Sequence, residues 1–148
     1  MRYVLKESEA RLILFSCIEP ADNFWSGEIF QTSAIGALER VVNGKYYGKR
    51  PEFLDLQQKI AKSDLSSLKK ELIDSGCTFL TLEDPDWPSG LNDLLAPPIG
   101  LVIRGDRSTL KNLDKSISIV GSRKPTSYGY QIAKSLAMRA VKQDLIVV

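Results

Sequence analysis

The chain has 148 residues, 43% of them hydrophobic and 26% charged, so its composition is that of an ordinary folded protein with room for one domain or two small ones. A formal net charge of +2 is too small to argue for nucleic acid unless the cations cluster. Histidine is absent, which removes the usual general base near neutral pH and the commonest metal ligand.

Other classes are excluded by pattern. No run approaches the ~18 apolar residues that span a bilayer. The stretch Met1–Glu7 has neither the apolar core nor the small-residue cleavage site of a signal peptide. Cys17 and Cys77 form no C-x-x-C pair, which points to neither a zinc site nor a disulfide framework. They read as buried, reduced thiols of a cytoplasmic protein. No internal repeat or low-complexity segment occurs.

The first 75 residues read as four short helices forming a compact module near the lower size for an independent core. Ser8 is placed to cap the first, with Ala10, Leu12, Ile13 and Leu14 as apolar positions and Pro20 as its stop. Phe24, Trp25, Ile29 and Phe30 continue the apolar content without clear boundaries. Ser33 caps a helix carrying Ile35, Leu38, Val41 and Val42, which ends at Asn43-Gly44. Pro51 suits the first turn of the next, whose buried stripe is Phe53, Leu54, Leu56 and Ile60. Asp64 or Ser63 caps the last, with Leu65, Leu68, Leu72 and Ile73 inside and Gly76 at its end. The loop Gly44–Arg50, with three cations and two tyrosines, is a candidate for gripping nucleic acid, but reads better as a solvated loop with tyrosines packed on the helices.

At Gly76 the pattern changes to strands. Residues 77–82 and 99–103 are apolar and β-rich, joined by a proline-punctuated connection holding Asp84-Pro85-Asp86-Trp87-Pro88 and Pro97-Pro98. Trp87 could stack a base, although a tryptophan between prolines more often plugs a core edge. Ile117–Val120 is a third strand, broken at Gly121, and Leu145–Val148 a fourth. Between them Ile132, Leu136 and Ala140 recur at helical spacing from about Tyr128 to Lys142, with Thr126 or Ser127 as N-cap. Strand, glycine turn, helix and strand make the βαβ unit of a Rossmann-like parallel sheet, to which all four strands are assigned.

The turn between that strand and helix is a place to hold phosphate. Gly121 lets the backbone approach an anion, and the first amides and dipole of the helix favour negative charge. Arg123 can grip a phosphate bidentately. Neither G-x-G-x-x-G nor G-x-x-x-x-G-K-[ST] is present, and a plain turn with a solvated arginine would look similar.

Gly121-Ser122-Arg123 after an apolar strand, then Thr126, Tyr128-Gly129 and Ala133, resembles the DNA-processing protein A family. Asp84–Pro88, Pro97-Pro98 and Arg104-Gly105-Asp106 are similar to the family's preceding segment, and Glu9–Leu12 to the first helix of its small helical (SAM-like) domain. The resemblance implies a SAM-like domain over residues 1–75 and the first part of a Rossmann-like DNA-binding domain over residues 76–148. It implies binding of single-stranded DNA, protection of incoming DNA and loading of the RecA recombinase in natural transformation, with a homodimer in the full-length protein and no membrane, metal, cofactor or catalytic residue. Gly121, Ser122 and Arg123 would hold DNA phosphates, and Tyr128, Thr126 and Lys124 are further contacts. The family's second glycine-rich motif would follow Val148, so the sequence reads as an N-terminal portion, from a truncated gene or a designed fragment. Two other readings stand beside this one. One is a nucleotide-processing enzyme of the nucleoside-monophosphate phosphoribohydrolase type, which would need a carboxylate base although none follows Gly121 before Asp144. The other is a gene fragment without function.

Overall fold

The computed structural model describes residues 4–19, 21–46 and 52–148. It divides into two compact units, Met1–Gly105 and Asp106–Val148.

The described residues of the first unit form five helices, α1 (Glu7–Cys17), α2 (Asn23–Thr32), α3 (Ala34–Val42), α4 (Glu52–Lys62) and α5 (Leu65–Asp74). The additional helix is α2. Its start is set by Asp22, whose Oδ1 accepts the amides of Phe24 at 2.8 Å and Trp25 at 3.1 Å, satisfying donors that a helix cannot satisfy itself. α1 starts at Glu7 rather than after Ser8, because the Glu9 carboxylate reaches back to the Lys6 amide at 2.9 Å. Ser33 and Asp64 are caps as expected, accepting from Gly36 at 3.1 Å and Ser67 at 2.9 Å. Gly76, at φ +67°, closes α5 in the left-handed conformation that a side chain would strain. Pro20 and Pro51, assigned as helix stop and helix start, lie outside the described residues.

The core packs Ala10 and Leu14 of α1 against Ile29, Ala34, Leu38, Val41, Leu56 and Ile60. Beside them Phe24, Trp25, Tyr46 and Phe53 form an aromatic cluster, with the Tyr46 and Phe53 rings stacked at 4.9 Å. Each such pair adds about 0.5–1.5 kcal/mol beyond the area it buries. Not every predicted core position is inside: Leu54 and Val42 are more than half exposed and Ile73 is 75% exposed. No residue of α5 is buried, and Ile73 stays in water.

Glu7 ties helices together. Its carboxylate accepts the amides of Ala34 at 2.6 Å and Ile35 at 3.2 Å, and lies 3.5 Å from Arg11 Nε. Arg11 is itself buried and donates to the Ile99 carbonyl at 3.1 Å. Burial lowers the Arg11 pKa, opposed by the fields of Glu7 and Glu83.

Strands β1 (Cys77–Leu80) and β2 (Leu101–Arg104) pair antiparallel, Cys77 opposite Arg104 and Leu80 opposite Leu101. Their assignment to one parallel sheet with the later strands is therefore corrected. The connection between them offers only a short 3-10 turn, Ser89–Asp93, and not the helical crossover that parallel neighbours need. β1 stops two residues early because Asp84 Oδ2 accepts the Thr81 amide at 2.8 Å and removes it from the ladder. β2 starts late because the Ile99 carbonyl is held by Arg11 and Gly100 runs beneath the Phe79 ring, where an added Cβ would lie 2.2 Å from the ring edge. This hairpin belongs to the first compact unit, which ends at Gly105. Cys17 and Cys77 are unpaired and half-buried, less enclosed than expected.

The second unit begins with a kinked 3-10 segment, Arg107–Lys115, and continues through β3 (Ser116–Ile117), α6 (Ser127–Lys142) and β4 (Ile146–Val147). β3 and β4 run parallel, Ser116 opposite Ile146 and Ile117 opposite Val147. This is the expected βαβ unit. α6 turns Gly129, Ala133, Ala137 and Ala140 inward, yet only Ala140 is fully buried, and Ile132 and Leu136 remain 43% and 45% exposed.

Among the described residues no helix is long and apolar enough to cross a membrane.

Candidate nucleic-acid interface

The turn from β3 to α6 is built from backbone bonds outward. After β3 the chain stays alongside β4: the Val148 amide donates to Ile117 at 3.0 Å and the Ile119 amide to Val148 at 2.9 Å. Val120 then leaves the ladder and is 89% exposed. Ser122 Oγ accepts the Lys124 amide at 3.2 Å, which folds the turn over itself. Thr126 is the N-cap of α6, its Oγ1 accepting the Gly129 amide at 3.1 Å and its carbonyl the Tyr130 amide at 2.9 Å. The amides of Ser127 and Tyr128, at the first turn of α6, have no partner among the described residues.

Gly121 does not take a left-handed φ, and a Cβ added to it would meet nothing within 4 Å. Neither turn geometry nor packing within the unit demands glycine at this position. An approaching anion would, since a bare Cα leaves the adjacent amides open.

Gly121, Ser122, Arg123, Lys124, Thr126 and Tyr128 are all exposed and lie on one continuous segment leading into α6. Arg123 and Lys124 make no ion pair among the described residues. The hydroxyls of Ser122 and Thr126 are already engaged, the first by Lys124 and the second by the cap. Tyr128 is 77% exposed, its ring free of any aromatic neighbour among the described residues.

Two other candidates are placed differently. Tyr46, in the loop Gly44–Arg50, is buried in the aromatic cluster, and its hydroxyl donates to Glu28 at 2.5 Å. Burial, and then the hydrogen bond to that carboxylate, raises its pKa well above the ordinary tyrosine range. Tyr46 is thus a core residue, and residues 47–50 of that loop lie outside the described ones. Trp87 is half-buried, with Nε1 donating to Asn92 Oδ1 at 3.0 Å. It lines a groove of about 470 Å³ with Phe30, Leu95, Pro97 and Ile99.

A feature hidden in the whole-chain net charge emerges once the two units are separated. Residues 106–148 carry eight Lys and Arg against three Asp and Glu, whereas residues 1–105 carry twelve against fifteen. The cationic excess belongs to the unit that contains the turn. Counting charge by segment would have found it, but only with the boundary at Gly105 known. Among the described residues no group of acidic, cysteine or histidine side chains is arranged to hold a metal ion.

Residues 78–148 match the family model of DNA recombination-mediator protein A. The DNA processing protein DprA of Bacillus subtilis (strain 168) is 29% identical over 75 residues, covering 51% of this chain and 25% of that protein. The match thus spans a quarter of the relative's length. No solved structure matches the chain. The family match spans both the Asp84–Pro88 segment and the Gly121–Arg123 turn, the two stretches that carry the resemblance in the sequence.

Proposed function

We propose, from the match of residues 78–148 to the family model of DNA recombination-mediator protein A, that the chain binds single-stranded DNA through the β3–α6 turn. Gly121, Ser122 and Arg123 form one side of a phosphate cradle. The open amides of Ser127 and Tyr128 supply fixed donors, Arg123 a bidentate cation and Lys124 a second charge. Thr126 holds the helix end in place. Tyr128 offers a face on which a base can stack. In the whole protein the role is protection of incoming DNA and its delivery to a RecA-type recombinase during natural transformation, with self-association of the full-length form. The work is binding, without a catalytic step.

The observation that carries this reading is the glycine at residue 121. The fold does not require it, and it opens an uncrowded turn in the cationic unit. Contacts to phosphate carry no sequence information and are weakened by salt. Binding of a fluorescent oligonucleotide should therefore be indifferent to base sequence and fall as salt rises. Arg123→Ala should weaken it by about 1.5–3 kcal/mol, the scale of a hydrogen bond to a charged group. Equal affinity of the parent chain and Arg123→Ala would remove Arg123 from the site.

A further inference from the structure

α6 has a second surface that the cradle does not use. Opposite its inward row of Gly129, Ala133, Ala137 and Ala140 lie Lys134, Met138 and Lys142 at i, i+4 and i+8, bordered by Gln131, Ser135 and Arg139. All six are exposed, and they enclose a shallow groove of about 280 Å³.

The charge pattern on this face is not that of a helix merely kept in water. Exposed helical faces normally mix signs at i, i+4 and place acids in the first turn. The first unit does this: α4 has Glu52 and Asp55 in its first turn and an Asp55–Lys59 pair at 2.7 Å, and α5 pairs Lys70 with Asp74. α6 contains no acidic residue over its 16 positions. Lys134, Arg139 and Lys142 have no ion-pair partner among the described residues. The negative end of the helix dipole accounts for Arg139 and Lys142 in the last turn, but not for Lys134 in the middle.

We propose that the outward face of α6 is a backbone track for single-stranded nucleic acid, running on from the cradle at the helix N-terminus. Lys134, Arg139 and Lys142 take successive phosphates, and Met138 lies against sugar or base between them. A helix of this length extends about 24 Å. At about 3.4 Å per nucleotide or more along a strand, that distance holds up to about seven nucleotides. The proposal rests on the DNA-binding reading above.

The test separates the two. The full chain, Arg123→Ala, and the triple variant Lys134→Gln, Arg139→Gln, Lys142→Gln are titrated with oligothymidylates of about four and about twelve nucleotides, between about 50 and 200 mM salt. For the longer oligonucleotide, the slope of log affinity against log salt should fall by about 2 in the triple variant. That is about 0.7 for each phosphate of a single strand that is no longer neutralised. The shorter oligonucleotide, which the cradle alone accommodates, should lose much less. Lys134→Gln, removed from the helix end, should lower the slope by about 0.7 with unchanged helical circular dichroism, which keeps the test valid if the triple variant unfolds. A slope unmoved by these variants, alongside binding that Arg123→Ala weakens, overturns the track and leaves the cradle standing. No binding of either oligonucleotide by the parent chain overturns both. Capture by anionic phospholipid vesicles without oligonucleotide binding would assign the face to a membrane surface and overturn it as well.

Discussion

The two units of this chain are stabilised on different scales. In residues 1–105 helices and hairpin share a core in which Ala10, Leu14, Ala34, Ala37 and Leu80 are fully enclosed. In residues 106–148 only Ala140 is buried, while Ile132, Leu136, Val141 and Val120 keep 43%, 45%, 63% and 89% of their surface in water. Apolar burial supplies most of the favourable free energy of folding, so the first unit is held by its side chains and the second mainly by backbone bonds and a helix cap. The proposed DNA contacts all sit in the second. A site on the looser unit has little packing to disturb when a strand lies across it, and elements that rearrange for a ligand come from the low-stability end of a structure.

The largest expected effect breaks the comparison at its strong end. Trp25→Ala removes a ring that is 7% exposed and meets Phe24, Tyr46 and Phe53 at centroid distances of 5.1, 5.7 and 5.7 Å. Large aromatic truncations in a core cost about 3–5 kcal/mol. Leu136→Ala, on the half-exposed flank of α6, should cost less, about 1 kcal/mol, because only about half of its surface leaves water on folding. Urea unfolding followed by tryptophan fluorescence for the first and helical circular dichroism for the second would measure both. Comparable losses at the two positions would mean that the units are packed alike.

A smaller effect concerns opening. Amides of α1, α3 and α4 should exchange with deuterium much more slowly than those of α6 and β4, since the latter are covered by few apolar side chains. Thr126→Ala should accelerate exchange in the first turns of α6 further and lower its stability by about 1 kcal/mol, the usual value of an N-cap. Thr126→Ser keeps the accepting oxygen and should restore protection. If instead Thr126→Ala left exchange in α6 unchanged, the cap would not be what holds that helix end.

The caps are the most legible part of the chain. Ser33, Asp64 and Thr126 are each readable from a short polar side chain before an apolar periodic run, and each accepts an amide in the structure. Gly76 is readable for the same reason, since only a residue without Cβ settles easily at φ +67°. The βαβ unit is legible because a parallel pair needs a helical crossover, and a helical pattern stands between two apolar runs. Strand direction in the first unit is not legible. The alternation of residues 77–82 and 99–103 is the same for either pairing, and the deciding contacts are long-range: Arg11 on the Ile99 carbonyl, and Gly100 under Phe79. α2 escapes a sequence reading because its start depends on Asp22, which stands two residues after Pro20 and looks like turn composition. The chemistry at Gly121 is visible as residue types. The charge imbalance around it is not, because opposite excesses in two units nearly cancel over the whole chain.

The smallest effect uses acid to tell the units apart by their caps. α5 in the first unit is capped by a carboxylate, Asp64, and α6 in the second by a hydroxyl, Thr126. The hydroxyl and amide of Ser67, and then the amide of Ser66, hold the Asp64 pKa below its ordinary value of 3.8. A carboxyl whose folded pKa is depressed contributes stability above its unfolded pKa and loses it as pH falls through the folded value. The α5 cap should therefore be intact at pH 5 and above and be released only below about pH 4, while the Thr126 cap, having nothing to titrate, persists. Asp64 is exposed, so the change is local and best read by NMR. The Ser67 amide should shift with an apparent pKa below 3.8, and the Gly129 amide should not shift with it. Asp64→Asn, which keeps an accepting oxygen but no charge, should abolish the Ser67 titration and leave α5 formed. A Ser67 amide that titrates at or above 3.8, or a Gly129 amide that follows it, would contradict the assignment of the two caps.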